Sequence, residues 1–222
     1  MKQNRLDFLR VLRIVASVGV DEVRFDADGS FGVHEEGNLV FGKGLKLDKK
    51  VAFMDTGVLK KMLDSFSDME VNIEFKDSSM VISGDKDVIF SYRLAEFDLI
   101  DGLGDTTIKD YEKGDWVKET FSYEEIDAVS KLIKSLGEDK MSFMSEKGGL
   151  YVIVGDTKSY SGKMLLGDID IGKEKFFDTK TLDKVLGALD ESKVELGFRT
   201  DVHILRIKTK SYTWYIGALD EK

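Results

Sequence analysis

Four stretches of the chain place apolar residues at helical spacing, and each is followed by runs that alternate with period two. Within Arg5–Val18 the helically spaced apolar positions include Phe8, Val11, Leu12 and Val15. Leu59, Met62, Leu63 and Phe66 repeat the spacing after an Asp-Thr pair, as do Leu182, Val185, Leu186 and Leu189 after a second one. Each Asp-Thr pair supplies capping oxygens, so a helix of about three turns is predicted at both places. In Tyr123–Leu136 the stripe is Val129, Leu132, Ile133 and Leu136, and Ser122 with Glu125 forms a capping-box pattern at its start. Alternation in "EVRFDAD", "SFGVHE", "NLVFGKGL", "EVNIEF", "SMVIS" and "VIFSYRLA" predicts strands, and so does "KMSFMSE", "GLYVIVGD", "SYSGKMLL", "KVELGF", "HILRIK" and "YTWYIGAL".

These elements occur twice in the same order. "FMDTGVLKKMLDSF" (Phe53–Phe66) returns as "FFDTKTLDKVLGAL" (Phe176–Leu189), a spacing of 123 residues from Asp55 to Asp178. The register runs on without a gap through Val71/Val194, Phe75/Phe198, Tyr92/Tyr215 and Ala95/Ala218. The first and third helices match more weakly, at a spacing of 121 that sets Arg10 on Lys131 and Arg13 on Lys134. Self-similarity over half the chain predicts two similar α+β domains, each built from two helix-plus-strands units. Residues 1–97 and 116–222 are the expected domains. The acidic, weakly periodic residues 98–115 between them read as a surface connector.

Composition narrows the chemistry. The 222 residues contain no cysteine and no proline, so disulfides, thiolate zinc sites and cysteine nucleophiles are excluded and turns rest on Gly, Asp and Ser. His34 and His203 are isolated and read as strand-surface imidazoles, so no metal site is expected. Acidic turns such as "DLIDGLGD" and "GDID" (Gly167–Asp170) come with no Ser/His/Asp set and no phosphate loop, and "FGKGLKLDKK" reads as turns. An enzyme is therefore not expected, and no cofactor is. No apolar run is long enough to span a membrane, and the charged N-terminus lacks the apolar core of a signal peptide. A cytoplasmic location is the expectation.

Charge is distributed unevenly. The formal net charge is −9, yet Lys2–Val18, Thr56–Phe66, Ser122–Leu136 and Thr179–Leu189 together hold ten basic and six acidic residues, so they carry +4 and the remainder −13. Lys2 lies near the start of the first helix, which offers Arg10 and Arg13; the second offers Lys60 and Lys61. The third offers Lys131 and Lys134, and the fourth Lys180 and Lys184. Lysine and arginine are good helix formers on any solvated face. Their recurrence in register on all four helices instead suits a surface that meets phosphates. The absence of interleaved aromatics or base-reading amides points to backbone contact without sequence reading.

At these residues the chain resembles the DNA sliding clamps, the processivity factors of replicative polymerases. The likeness is to the two-domain type found in tailed phages and in the proliferating cell nuclear antigen. "VAFMDTGVLKKML" is similar to the strand-into-helix segment of a first clamp domain, and "YTWYIGALDEK" to the closing strand and tail. The tail lacks the proline common in such clamps, and the short chain favours the phage type. The resemblance implies a homotrimeric ring of six domains, with all helices lining a hole for duplex DNA and antiparallel sheets outside. It implies a DNA polymerase and a clamp loader as partners. It also implies a groove for short hydrophobic peptides between the two domains, beneath the connector. Leu99 and Ile100 would edge that groove on one side, and Ile216, Ala218 and Leu219 on the other, near acidic Asp98, Asp101, Asp220 and Glu221. The last strand of domain one (about Val88–Phe97) would pair with a neighbour's strand (about Lys158–Leu166). Two other readings fit a repeated α+β chain: a non-ring DNA-binding polymerase accessory subunit, and a structural protein of repeated domains.

Overall fold

The computed structural model describes residues 2–84, 88–103, 105–155 and 160–219, without the side chains of Asp105 and Thr106. The chain divides into two compact units, one of residues 1–35 and 40–104, the other of residues 36–39 and 105–222.

The first unit runs β1 (Lys2–Asn4), α1 (Arg5–Ala16), β2 (Val23–Phe25), β3 (Ser30–Glu35), β4 (Asn38–Lys43), β5 (Val51–Phe53), α2 (Thr56–Asp64), β6 (Glu70–Phe75), β7 (Ser79–Ser83) and β8 (Ile89–Arg93). Its strands lie side by side in the orders β1-β6-β7-β8 and β5-β2-β3-β4. The helices start where the sequence supplies caps. Asn4 accepts from the N–H groups of Leu6 and Asp7 at 2.9 and 3.3 Å, and Asp55 from that of Val58 at 2.8 Å. A cap of this kind is worth about 1 kcal/mol. α1 stops two residues before the expected Val18, because the chain turns at Gly19 with φ +91°. α1 and α2 pack together and bury Phe8, Leu12, Leu59 and Leu63. The ring of Phe53 lies 6.0 Å from Phe8, 5.8 Å from Phe25 and 5.8 Å from Tyr92, at the centre of this core.

The second unit repeats this plan strand for strand. It contains α3 (Asp105–Glu112), β9 (Trp116–Ser122), α4 (Tyr123–Leu136), β10 (Lys140–Glu146), β11 (Gly149–Gly155), β12 (Ser161–Gly167), β13 (Lys175–Asp178), α5 (Thr179–Ala188), β14 (Lys193–Arg199), β15 (Ile204–Lys208) and β16 (Tyr212–Gly217). Orders β9-β14-β15-β16 and β13-β10-β11-β12 match those of the first unit, and every pairing with a described register is antiparallel. The expected capping box is present: the Glu125 N–H donates to Ser122 Oγ at 3.3 Å, and the Glu125 carboxylate accepts the Ser122 N–H at 2.7 Å. α5 is capped by Asp178, which accepts the Thr181 N–H at 2.7 Å. Phe143 lies 5.8 Å from Phe177 and 5.0 Å from Phe198 in the core, and Leu182 and Val185 of α5 are buried. The fold is α+β, with helices packed on antiparallel sheets.

The gapless sequence register holds for the helices and into β6 and β14, where Val71 and Val194 are both buried, and fails in β5/β13 and β8/β16. Phe53 was aligned with Phe176, but the buried counterpart of Phe53 is Phe177, while Phe176 is only half-buried. The first unit has one more residue, Met54, between its inward phenylalanine and its capping aspartate. Side chains alternate faces with every residue, so a slip of one reverses them. Tyr92 and Tyr215 differ in the same way. Tyr92 faces the core ring of Phe53, whereas Tyr215 contacts Tyr111 and Trp116 on the opposite face of its sheet. The expected connector is also more ordered than its composition suggested: it holds a 3-10 turn (Phe97–Leu99) and the helix α3.

Candidate nucleic-acid interface

The buried stripes of α1, α2, α4 and α5 leave the opposite face of each helix to solvent. Arg13, Lys61, Lys131, Lys134, Lys180 and Lys184 are exposed there. Arg10 and Lys60 are half-buried. Lys2 is exposed but stands on β1 instead of on a helix, with its ammonium 3.5 Å from Glu70 of β6. Sequence periodicity could not foresee β1, since three residues make no pattern and their pairing partner lies 68 positions away.

The cations differ between the two units in how they are paired. In the second unit Lys131 meets Asp127 at 2.7 Å, one turn earlier on α4. Lys134 meets Asp183 of α5 at 3.3 Å, and Lys180 meets Asp139 at 3.0 Å. Asp183 also accepts the hydroxyl of Ser130 at 2.9 Å, which ties α4 to α5. Donating hydrogen bonds to Asp127 and to Asp139 holds the ammoniums of Lys131 and Lys180 above the ordinary lysine value. No such pair is described for Lys184, nor for Arg13, Lys60 or Lys61 in the first unit. The aspartates were missed because they count as isolated acids in a sequence. Only Asp127 and Lys131, at i and i+4, could have been paired in advance. Exposed pairs like these are worth little and are screened by salt, so an incoming phosphate can replace the carboxylate.

The residues expected to receive partner peptides fall into two groups. Leu99 is 73 % exposed at the end of the 3-10 turn, and Ala218 and Leu219 are half-buried. Ile100 and Ile216 are buried, at 2 % and 1 % exposure, which corrects the expectation that all five lie at the surface. Ile216 points inward because it pairs with Leu205 on the core side of β15. The tail is pinned within its unit, with the Ala218 N–H on the His203 carbonyl and the Leu219 N–H on the Phe176 carbonyl, both at 2.8 Å. Asp220 and Glu221 lie outside the described residues.

The two strands expected at a subunit contact each end a row of strands. β8 ends the order β1-β6-β7-β8, and its Ile89 is 66 % exposed; β12 ends β12-β11-β10-β13, and its Leu165 is 56 % exposed. Lys158, at the expected start of the second strand, lies outside the described residues. No helix is long and apolar enough to cross a membrane, and no group of three or more metal-ligating side chains occurs among the described residues.

No protein-family model matches the chain, and no curated protein matches it in sequence. Its fold, however, is that of several solved structures. It superimposes on a chain of the PCNA2–PCNA3 complex from Sulfolobus tokodaii with a TM-score of 0.73 at 14 % identity, covering 99 % of both chains. The Proliferating Cellular Nuclear Antigen of Entamoeba histolytica gives 0.69 at 16 % identity, covering 99 % of this chain and 98 % of that one. The beta chain of DNA polymerase III from Streptococcus pneumoniae gives 0.73 at 15 % identity; this chain is covered completely and spans 64 % of that one. With the duplicated two-helix plan, these likenesses show that the chain has the DNA sliding-clamp fold in its two-domain form.

Proposed function

We propose that the chain is a DNA polymerase sliding clamp: a homotrimer that encircles duplex DNA and tethers the replicative polymerase without catalysing a reaction. The observation that carries this reading is the two-helix layer repeated in both units of a sliding-clamp fold, with cations on each helix away from the core. Lys2, Arg10, Arg13, Lys60, Lys61, Lys131, Lys134, Lys180 and Lys184 are the proposed DNA-facing residues. Loose ion pairs suit this role. A clamp held by topology needs weak, mobile phosphate contacts, and tight ones would stop it sliding. The acidic remainder of the chain would keep DNA off other surfaces.

The ring closes, in this reading, by edge-to-edge pairing of β8 with β12 of a neighbour, which would cover Ile89 and Leu165. Open strand edges bearing apolar side chains favour such pairing. Leu99, Ala218 and Leu219 are the proposed contacts for a hydrophobic segment of the polymerase, and a clamp loader would open the ring. Light scattering over a micromolar concentration series tests the assembly. A mass near three times the 25.0 kDa of one chain is expected, and a mass that stays at one chain throughout would overturn the trimer.

A further inference from the structure

Strand pairing fixes which residues of the two units are equivalent. Arg24 of β2 pairs with Ala52 of β5, each next to a buried phenylalanine, Phe25 or Phe53. Ser142 of β10 pairs with Phe176 of β13, each next to buried Phe143 or Phe177. In this register Ser142 stands for Arg24, Phe176 for Ala52, Glu174 for Lys50 and Ile153 for Gly32. These positions alternate with the buried residues, so they share the sheet face turned away from the core.

In the first unit the chain itself covers this face. The Ala95 N–H donates to the Ala52 carbonyl at 3.0 Å, and the Phe97 ring then packs on two cations, 5.1 Å from the Arg24 guanidinium and 5.1 Å from the Lys50 ammonium. Glu96 and Asp98 flank that ring in sequence. Leu103 lands on Gly32, with its N–H on the Gly32 carbonyl at 3.2 Å, where a β-carbon would sit 2.8 Å from that of Leu103. The segment brings a ring and acids, and the face brings the cations.

In the second unit the path starts alike, with the Leu219 N–H on the Phe176 carbonyl at 2.8 Å, but the chemistry is reversed. Here the face brings the ring and the acids. Phe176, Met144 and Ile153 are half-buried and line a cleft of about 750 Å³. Glu174, which accepts the Ser142 hydroxyl at 2.5 Å, lines it together with Glu138 and Asp139. Asp139 is paired with Lys180, and no ion pair is described for Glu138 or Glu174. Of the two lining lysines, Lys163 is engaged by Glu146 and lies 4.2 Å from the Tyr151 ring, which leaves Lys140 against two carboxylates.

We propose that this outer face of β13, β10 and β11 is a docking surface for a partner protein, filled by an extended segment with a basic residue beside an apolar one. The basic group stacks on Phe176 and pairs with Glu174, the inverse of Phe97 on Arg24 and Lys50. The apolar group fills the cleft beside Met144 and Ile153. The carboxylates repel nucleic acid, and Asp220 and Glu221 of the chain's own tail bring the wrong charge. β13 ends its sheet opposite β12, so pairing at the β12 edge leaves Phe176 and Glu174 open. This surface lies within the second unit and is separate from the contacts proposed at Leu99.

The test titrates the full chain, labelled at its methionine methyls, with the peptide acetyl-Leu-Arg-amide. The Met144 methyl reports the cleft, and buried Met141 reports the fold. Met144 should shift saturably with Met141 unmoved, and the uncharged acetyl-Leu-citrulline-amide should bind at least tenfold more weakly. Glu174→Gln keeps an acceptor for Ser142 and should erase that tenfold preference. Should Glu174→Gln disturb Met141, Phe176→Leu removes the ring instead and should narrow the preference about threefold. A Met144 resonance that never shifts, or equal binding of the two peptides by wild type, overturns the surface. Acetyl-Phe-Asp-amide binding as tightly as the arginine peptide overturns the assigned charge. A variant lacking residues 220–222 should bind as wild type does; a tenfold gain would show that the chain's own tail fills the face and would overturn the partner.

Discussion

Lys134 of α4 and Asp183 of α5 lie 3.3 Å apart, and the same carboxylate accepts the Ser130 hydroxyl. One aspartate thus joins the two helices and masks a cation proposed to face DNA. Replacing it by asparagine keeps the hydrogen bond to Ser130 and frees the lysine. Asp183→Asn should therefore bind duplex DNA about threefold more tightly at low salt, with a steeper salt dependence. Fluorescence anisotropy against salt concentration checks this, and unchanged affinity would remove Lys134 from the interface.

Reversing the exposed cations should do the opposite. Arg13, Lys61, Lys131 and Lys184 lie off the buried stripes, so changing all four to Glu should leave the circular dichroism spectrum unchanged. DNA contact and processive synthesis should both fall by at least tenfold. Primer-extension length is the readout, and wild-type processivity would show that these faces do not meet DNA.

The strand edges give a separate prediction. Ile89→Lys and Leu165→Lys alter side chains that are already exposed, so each unit should fold normally. If those side chains are buried on assembly, each loses about 2 kcal/mol, a roughly 30-fold weaker contact. Sedimentation should show dissociation at concentrations where wild type is assembled.

At the proposed docking surface Leu99→Ser alone suffices, because Ile100 is buried and its loss would test folding. Affinity for the polymerase's docking segment should drop about tenfold from lost apolar burial, with the assembly mass unchanged. Calorimetry measures it.

Glu191 supplies a pH dependence. Burial pulls its carboxyl upward, but the N–H groups of Lys210 and Ser211 at 2.8 and 3.3 Å outweigh this and hold it below the ordinary glutamate value. Its stabilising effect is then complete above about pH 4.3, the unfolded value, and lost as pH falls through the lower folded value. Glu191→Gln should lower the melting temperature at pH 7 and much less at pH 3. An equal loss at both would show that the charge is not what closes the turn between β15 and β16.

The helices were legible because each starts at a capping side chain and spaces its apolar residues by helical turns; α4 spans the expected residues Tyr123–Leu136. Strand facing was legible in β6 and β14, where Val71 and Val194 both point inward, but not in β5 and β13, because one extra residue at Met54 reverses Phe53 relative to Phe176 without disturbing the helix register. α3 was unreadable for a different reason. Its own propensity is poor, and it is fixed by Tyr111 and Trp116 meeting Tyr215, residues about a hundred positions apart. The cations of the candidate interface could be picked out by recurrence, whereas the pairing of Lys134 with Asp183 needed two helices brought together.

Retention on DNA of defined topology tests the central claim most directly. The chain is loaded onto a nicked circular duplex, washed at high salt, and the circle is then cut once. A ring that encircles DNA stays on the circle through the wash and is released when the circle becomes linear. Equal retention on circular and linear DNA, or loss from both at high salt, would contradict encirclement and leave a protein held by charge alone.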